Sequence, residues 1–169
     1  MVAWLIAGLA AIIVSQRLSE LLLAHRNRLW ALKQGAREYG VGHYPSFFLL
    51  HAAWLAGWMA EGGFNNCLAF SWPLWLSLFL LAQVIRYWCI ISLGHYWNTR
   101  ILVIPGSQPV QHGPYRFLRH PNYLAVALEL VAAPMIFDAV YTAAIATTVN
   151  AALLLLVRIP AEERALAGE

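Results

Sequence analysis

Charge is what this sequence has least of. Asp, Glu, Lys and Arg make up 11% of its 169 residues, against about 25% in an ordinary soluble domain. Lysine is nearly absent, with Lys33 standing alone, so the net charge of +3 rests on arginine. Those arginines sit beside apolar runs rather than in a basic stripe, which argues for membrane anchoring and against a nucleic-acid partner. Cysteine is scarce as well. A helix through the apolar run between Cys67 and Cys89 would hold them about 33 Å apart, which excludes a disulfide, and neither has the neighbours a zinc site requires. No metal is expected. There is no basic stretch before the first apolar run, so the amino terminus reads as a retained helix and not as a cleaved leader.

What remains is apolar: 61% of the residues are hydrophobic, eight are Trp, and the mean hydropathy is +0.61. A bilayer is the expected solvent, and the length suits one domain covering 1–169. Residues 2–24 form a first apolar run carrying Arg17 and Glu20, spaced to pair on one helical face or to line a site. Residues 25–45 are polar and read as a loop, helical at most at its start. Residues 46–60 form a second apolar helix, closed by a turn at 61–66. Residues 67–93 form a third, with Pro73 near its start, where a helix tolerates it. After a long polar stretch at 94–123, residues 124–137 are apolar but short of the roughly 20 needed to span a bilayer. Asp138 marks a turn and residues 139–157 complete a hairpin. The tail at 158–169 is charged and is expected to end in a short helix, and Pro160 makes a stop to the preceding helix plausible.

The fold class predicted is therefore all-α, a polytopic membrane protein with about five transmembrane helices. Of the eleven basic residues, all but Arg17 and Arg86 fall in the first loop, the third loop or the tail. The positive-inside rule then puts the amino terminus outside and the carboxyl terminus in the cytoplasm, for instance of a bacterial inner membrane. The third loop and the tail meet on the cytoplasmic side, where a cofactor pocket is expected.

Thirty polar residues are long for a loop without a task. Within them lies Gly113-Pro114-Tyr115-Arg116-Phe117-Leu118-Arg119-His120-Pro121-Asn122-Tyr123, and the tail holds Arg158-Ile159-Pro160-Ala161-Glu162-Glu163. The loop motif, pinned by a glycine and two prolines with histidines and tyrosines around it, reads as functional over an interfacial anchor, whereas the tail segment alone reads as a charged helix cap. Together, the Gly-x-Tyr-x-x-x-Arg-His-Pro-x-Tyr run and the later Arg followed by Glu-Glu resemble the isoprenylcysteine carboxyl methyltransferase family. Gln16-Arg17-Leu18-Ser19-Glu20-Leu21, Arg26-Asn27 and Gly42-His43-Tyr44-Pro45 extend the likeness to a small bacterial branch associated with O-methylation of alkylpyrones.

The resemblance implies an S-adenosylmethionine (SAM) pocket lined by Ser107, Gln108, Pro109 and Val110, by Tyr115, by His120, Pro121, Asn122 and Tyr123, and by Glu162. It makes Arg158 the substrate-binding residue. Where the family often has Gly two positions after the last Tyr, this chain has Ala125. The chemistry agrees: a carboxylate accepts from ribose hydroxyls or an ammonium, tyrosine offers a face to a cationic sulfur, and arginine holds an acidic oxygen. The expected activity is methyl transfer to an oxygen of a lipophilic acceptor, an alkylpyrone ranking above a prenylated cysteine carboxylate. A membrane reductase of the sterol reductase type is the alternative, and its NADPH would call for a basic cluster near the ribose.

Other ionisable residues within the apolar runs carry open expectations. His51 has no facing histidine and reads as a hydrogen-bonded structural residue. Glu129 reads as pocket lining or as an arginine's partner. Arg86 is expected to snorkel to the interface. Trp72, Trp75, Trp88 and Trp97 read as belt or core.

Overall fold

A computed structural model describes residues 2–167, so Gly168 and Glu169, the end of the expected tail, lie outside the described residues. The architecture is helical, as expected, with one small addition of strand. Helix α1, Val2–Lys33, continues nine residues beyond the expected end of the first run, because its Arg, Leu, Ala and Lys residues are good helix formers even where they are polar. Gly35 ends it in the left-handed region at φ 82°, and the amides of Gly35 and Ala36 bond back to Leu32 and Ala31. That pairing satisfies the last carbonyls of the helix.

Strand β1, Arg37–Tyr39, follows, and α2, Tyr44–Asn65, begins on Pro45. The expected turn at 61–66 is mostly helix. Gly62 remains in α2 because another element comes close: a Cβ there would lie 2.8 Å from the Phe137 Cβ. Helix α3, Trp72–Leu93, starts later than expected, at the point where Pro73 is compatible with a first turn. Strand β2, Ile101–Val103, lies inside the long polar stretch and pairs antiparallel with β1, Glu38 opposite Leu102.

Helices α4, Pro121–Ile136, and α5, Val140–Leu153, form the expected hairpin around Asp138, whose φ of 57° turns the chain. Glu61 of α2 caps α5, accepting the Tyr141 and Thr142 amides at 2.9 and 2.8 Å. The expected short helix of the tail is present, but no stop at Pro160 separates it from the helix before. Leu154–Arg158 form a π-helical turn that leads directly into α6, Ile159–Ala167. The widened turn accommodates a proline that has no amide proton to donate.

Three helical runs, Val2–Lys33, Trp72–Tyr96 and Val140–Ala167, are long and apolar enough to cross a membrane, and Pro121–Ile136 is a shorter apolar helix. Their shared core contains Trp54, Trp58, Leu130 and Phe137. Trp58 stacks on Phe137 with centroids 5.6 Å apart. Ala125, the departure from the family pattern, is completely buried.

Four charges join α1, α3 and α4. Glu129 Oε2 accepts from Arg17 at 2.5 Å and from Arg86, while Glu20 pairs with Arg17 at 2.7 Å and lies 3.5 Å from Arg86. Arg86 is 2% exposed and does not snorkel. With two carboxylates within reach, an ion pair among the helices replaces the interface as its destination. Removing one member should be costly: Glu129→Leu is expected to lose about 3–5 kcal/mol by leaving cations buried without their partner. The double variant Glu129→Leu/Arg86→Met should recover much of that loss, as read from unfolding in detergent.

Candidate functional site

The polar stretch after α3 is held by the first half of the chain. Asn27 donates from its side chain to the carbonyls of Gly94 and Trp97 at 3.1 and 2.7 Å, and Asn98 donates back to Ala24 at 2.9 Å. Trp30 stacks on His95, centroids 5.1 Å apart. On the ribbon, Glu38 accepts from Arg28 at 3.0 Å and from Arg100, and the Arg100 guanidinium lies 4.2 Å above the Tyr44 ring. Burial alone would raise the Glu38 carboxyl, but the bonds and charges of Arg100 and Arg28 outweigh it and hold the group below the usual carboxylate value.

The next turn, Gly113–Arg116, is pressed against α3. Gly113 has φ 61°, and a Cβ there would come within 2.0 Å of Ser92 Oγ, so only glycine fits. Tyr115 sets its hydroxyl beside the Cys89 thiol. Burial first, then that thiol, pushes the phenol well above the ordinary tyrosine value. It stays protonated and serves as a donor, not a base. His120 precedes α4, stacks on Tyr123 at 5.2 Å and places Nδ1 3.9 Å from Glu162 Oε2.

Arg158 closes the π-helical turn, one helical turn before Glu162, so the two side chains share a face. Arg158 Nε donates to the Tyr123 hydroxyl at 3.1 Å, its Nη2 donates to the Thr99 carbonyl at 3.0 Å, and the Tyr123 hydroxyl donates to Glu162 Oε2. A line of contacts therefore runs Glu162, Tyr123, Arg158. It continues into the apolar wall, with the Arg158 guanidinium carbon 6.0 Å from the Phe47 ring centroid.

These groups face one cavity of about 1420 Å³. Its wall includes Ser107, Gln108, Pro109, Val110, Tyr115, His120, Asn122, Tyr123, Arg158 and Glu162. Pro121 is not in the wall: it is buried at the first position of α4, where its ring sets the helix start. Sequence reasoning missed Thr99, for which no pattern gave a signal. It also missed the α2 contribution, although Tyr44, Phe47 and His51 at i, i+3 and i+7 share a helix face and all line the cavity. Arg17 and Glu20 reach the same wall, so they are both paired and site-lining.

The sequence profile of the Isoprenylcysteine carboxyl methyltransferase (ICMT) family matches residues 75–168. That span holds Tyr115, Tyr123, Arg158 and Glu162. The chain belongs to this family. It is 42% identical over 159 residues to the uncharacterized protein YpbQ of Bacillus subtilis, with 94% of each chain covered. It is 27% identical over 159 residues to an uncharacterized protein of Haemophilus influenzae, covering 92% of this chain and 91% of that one. No solved structure matches it significantly. As a member of a methyltransferase family, it carries the family's matched region in α3 to α6, whereas α1 and α2 precede that region and complete the cavity.

Two outcomes are expected from this geometry. Tyr123→Phe removes the hydroxyl shared by Arg158 and Glu162 and should cost about 1.5–3 kcal/mol, the usual range for hydrogen bonds to charged groups, measured by unfolding in detergent. Because Glu38 is held below its unfolded value, its contribution is present at neutral pH and is lost as pH falls through the folded value. Thermal melts of Glu38→Gln should show lower stability at pH 7 and a flatter decline into acid than the parent.

Proposed function

We propose that this family member is an integral-membrane, SAM-dependent O-methyltransferase acting on a lipophilic acceptor that has an acidic oxygen. The observation that carries the reading is the contact line from Glu162 through Tyr123 to Arg158 and Phe47. It sets a polar cofactor end and an apolar acceptor end on one wall, with a permanent cation between them.

The residues suit the cofactor. Glu162 offers a carboxylate, and Asn122 Oδ1 is buried in the cavity wall without a hydrogen-bond partner. Both are acceptors, matching the ribose hydroxyls and ammonium of SAM. His120 and Tyr123 present a stacked aromatic pair beside them, a surface suited to a cation. When bound, SAM supplies an electrophilic methyl group on a sulfonium.

The protein's own part is placement. Arg158, braced by the Tyr123 hydroxyl and the Thr99 carbonyl, holds the acceptor oxygen in its anionic form by charge-assisted hydrogen bonds. Catalysis of this kind is mainly positioning and electrostatics, so no general base is required for an acceptor that is already ionised. A five-segment topology with the carboxyl terminus in the cytoplasm of a bacterial inner membrane brings SAM from the aqueous side. The acceptor arrives from the bilayer. An alkylpyrone-type enol is favoured by the branch likeness, and a prenylcysteine carboxylate meets the same requirements.

Methyl transfer from labelled SAM to alkylpyrone, prenylcysteine and phospholipid acceptors in parallel tests the reading. Transfer to an acidic lipophilic acceptor is expected, whereas no transfer to any, together with NADPH binding, would favour a reductase. Glu162→Gln should abolish SAM binding in calorimetry while the protein remains extractable and folded. Arg158→Ala should raise the acceptor KM or lower turnover by at least tenfold, with SAM affinity retained.

A further inference from the structure

His51 lines the cavity from α2, and the assignments above give it no task. It precedes the family-matched region, so the match assigns it nothing either. Its Nδ1 lies 2.7 Å from the Phe47 carbonyl oxygen. A carbonyl only accepts, so Nδ1 carries the proton, and in the neutral ring Nε2 is left as a lone-pair acceptor. The neighbouring Glu20 and Glu129 are each paired with Arg17 or Arg86, although Glu129 Oε1 has no hydrogen-bond partner among the described residues. Nε2 has no hydrogen-bond partner among the described residues, and the residue lines the cavity.

The depth of this acceptor is set by α2. Phe47, beside Arg158, is one helical turn from His51, a rise of about 6 Å. One turn beyond His51 the wall becomes apolar, with Leu55 on α2 and Ile13 and Val14 on α1. A ligand along α2 meets the Arg158 cation, then the Phe47 ring, then His51, with the paired Arg17, Glu20 and Arg86 also in the wall, then hydrocarbon.

We infer that the acceptor carries a hydrogen-bond donor, a hydroxyl or amide N–H, between the oxygen held at Arg158 and its apolar tail, and that His51 Nε2 accepts from it. The position of the reacting oxygen rests on the proposed methyltransferase reading, and the lone pair on the wall rests on geometry alone. A ligand lacking the donor would strip water from Nε2 and return nothing, and sites of this type discriminate strongly against such ligands.

Two probes separate the possibilities: N-dodecyl-4-hydroxybenzamide, and dodecyl 4-hydroxybenzoate, in which the amide N–H is replaced by an ester oxygen. Binding and methyl transfer are both measured with the whole protein in nanodiscs. The amide is expected to bind roughly tenfold more tightly than the ester. His51→Leu should erase the preference with SAM affinity unchanged, and His51→Gln, whose carbonyl also accepts, should keep part of it. If His51→Leu folds poorly, His51→Met serves the same purpose. Equal binding of the two probes, binding of neither, or a preference that survives loss of the imidazole overturns the inference. A His51-dependent preference without methyl transfer would uphold the subsite and reject the methyltransferase reading. Transfer to both probes without preference would do the reverse.

Discussion

The four charges of Arg17, Glu20, Arg86 and Glu129 constrain this molecule more than any other interaction. Among apolar helices a lone charge is very costly, so each of these residues must find its opposite. Glu129 meets two arginines from two different helices, and Glu20 is within reach of the same two. This requirement brings α1, α3 and α4 to one level. Glu129 is eight residues into α4, Arg86 seven before the end of α3, and His51 seven into α2, which is about 10–12 Å from the site ends of their helices. Three of the four, Arg17, Glu20 and Arg86, thus line the cavity as well as joining helices.

Above that level the polar stretch is shaped by residues that are small or have fixed geometry. Gly113 allows the loop to lie against Ser92, Pro121 sets the start of α4, and Asn27 grips the chain where it leaves α3. The π-helical turn at Leu154–Arg158 changes the helical phase just before Pro160. Arg158 and Glu162 are thereby presented to Tyr123 from a helix that continues past the proline. A stop at that point would have separated the tail from the loop it meets.

Much of this was legible beforehand. The apolar runs announced the helices, the Asp138 hairpin was visible as a break between two of them, and the spacing of Arg17 and Glu20 foretold their pairing. The motif residues Tyr115, Asn122, Tyr123, Arg158 and Glu162 all reach one cavity, although 35 residues separate Tyr123 from Arg158 in the chain. Element ends were less legible. Polar residues with high helix propensity extended α1, and Gly62 resembled a turn residue while lying inside α2, because a glycine at a close contact and a glycine in a turn look alike in sequence.

Composition and periodicity by themselves determined the apolar solvent and the helical class, because burial against lipid and local backbone preference are written in runs and spacings, and a residue motif carried the family resemblance. Tertiary structure alone decided which charges neutralise one another, that Arg86 turns inward, that Thr99 braces Arg158, and that His51 lines the cavity. Those are contacts between residues tens of positions apart. They depend on relative helix depth and rotation, which packing sets and a linear pattern does not encode.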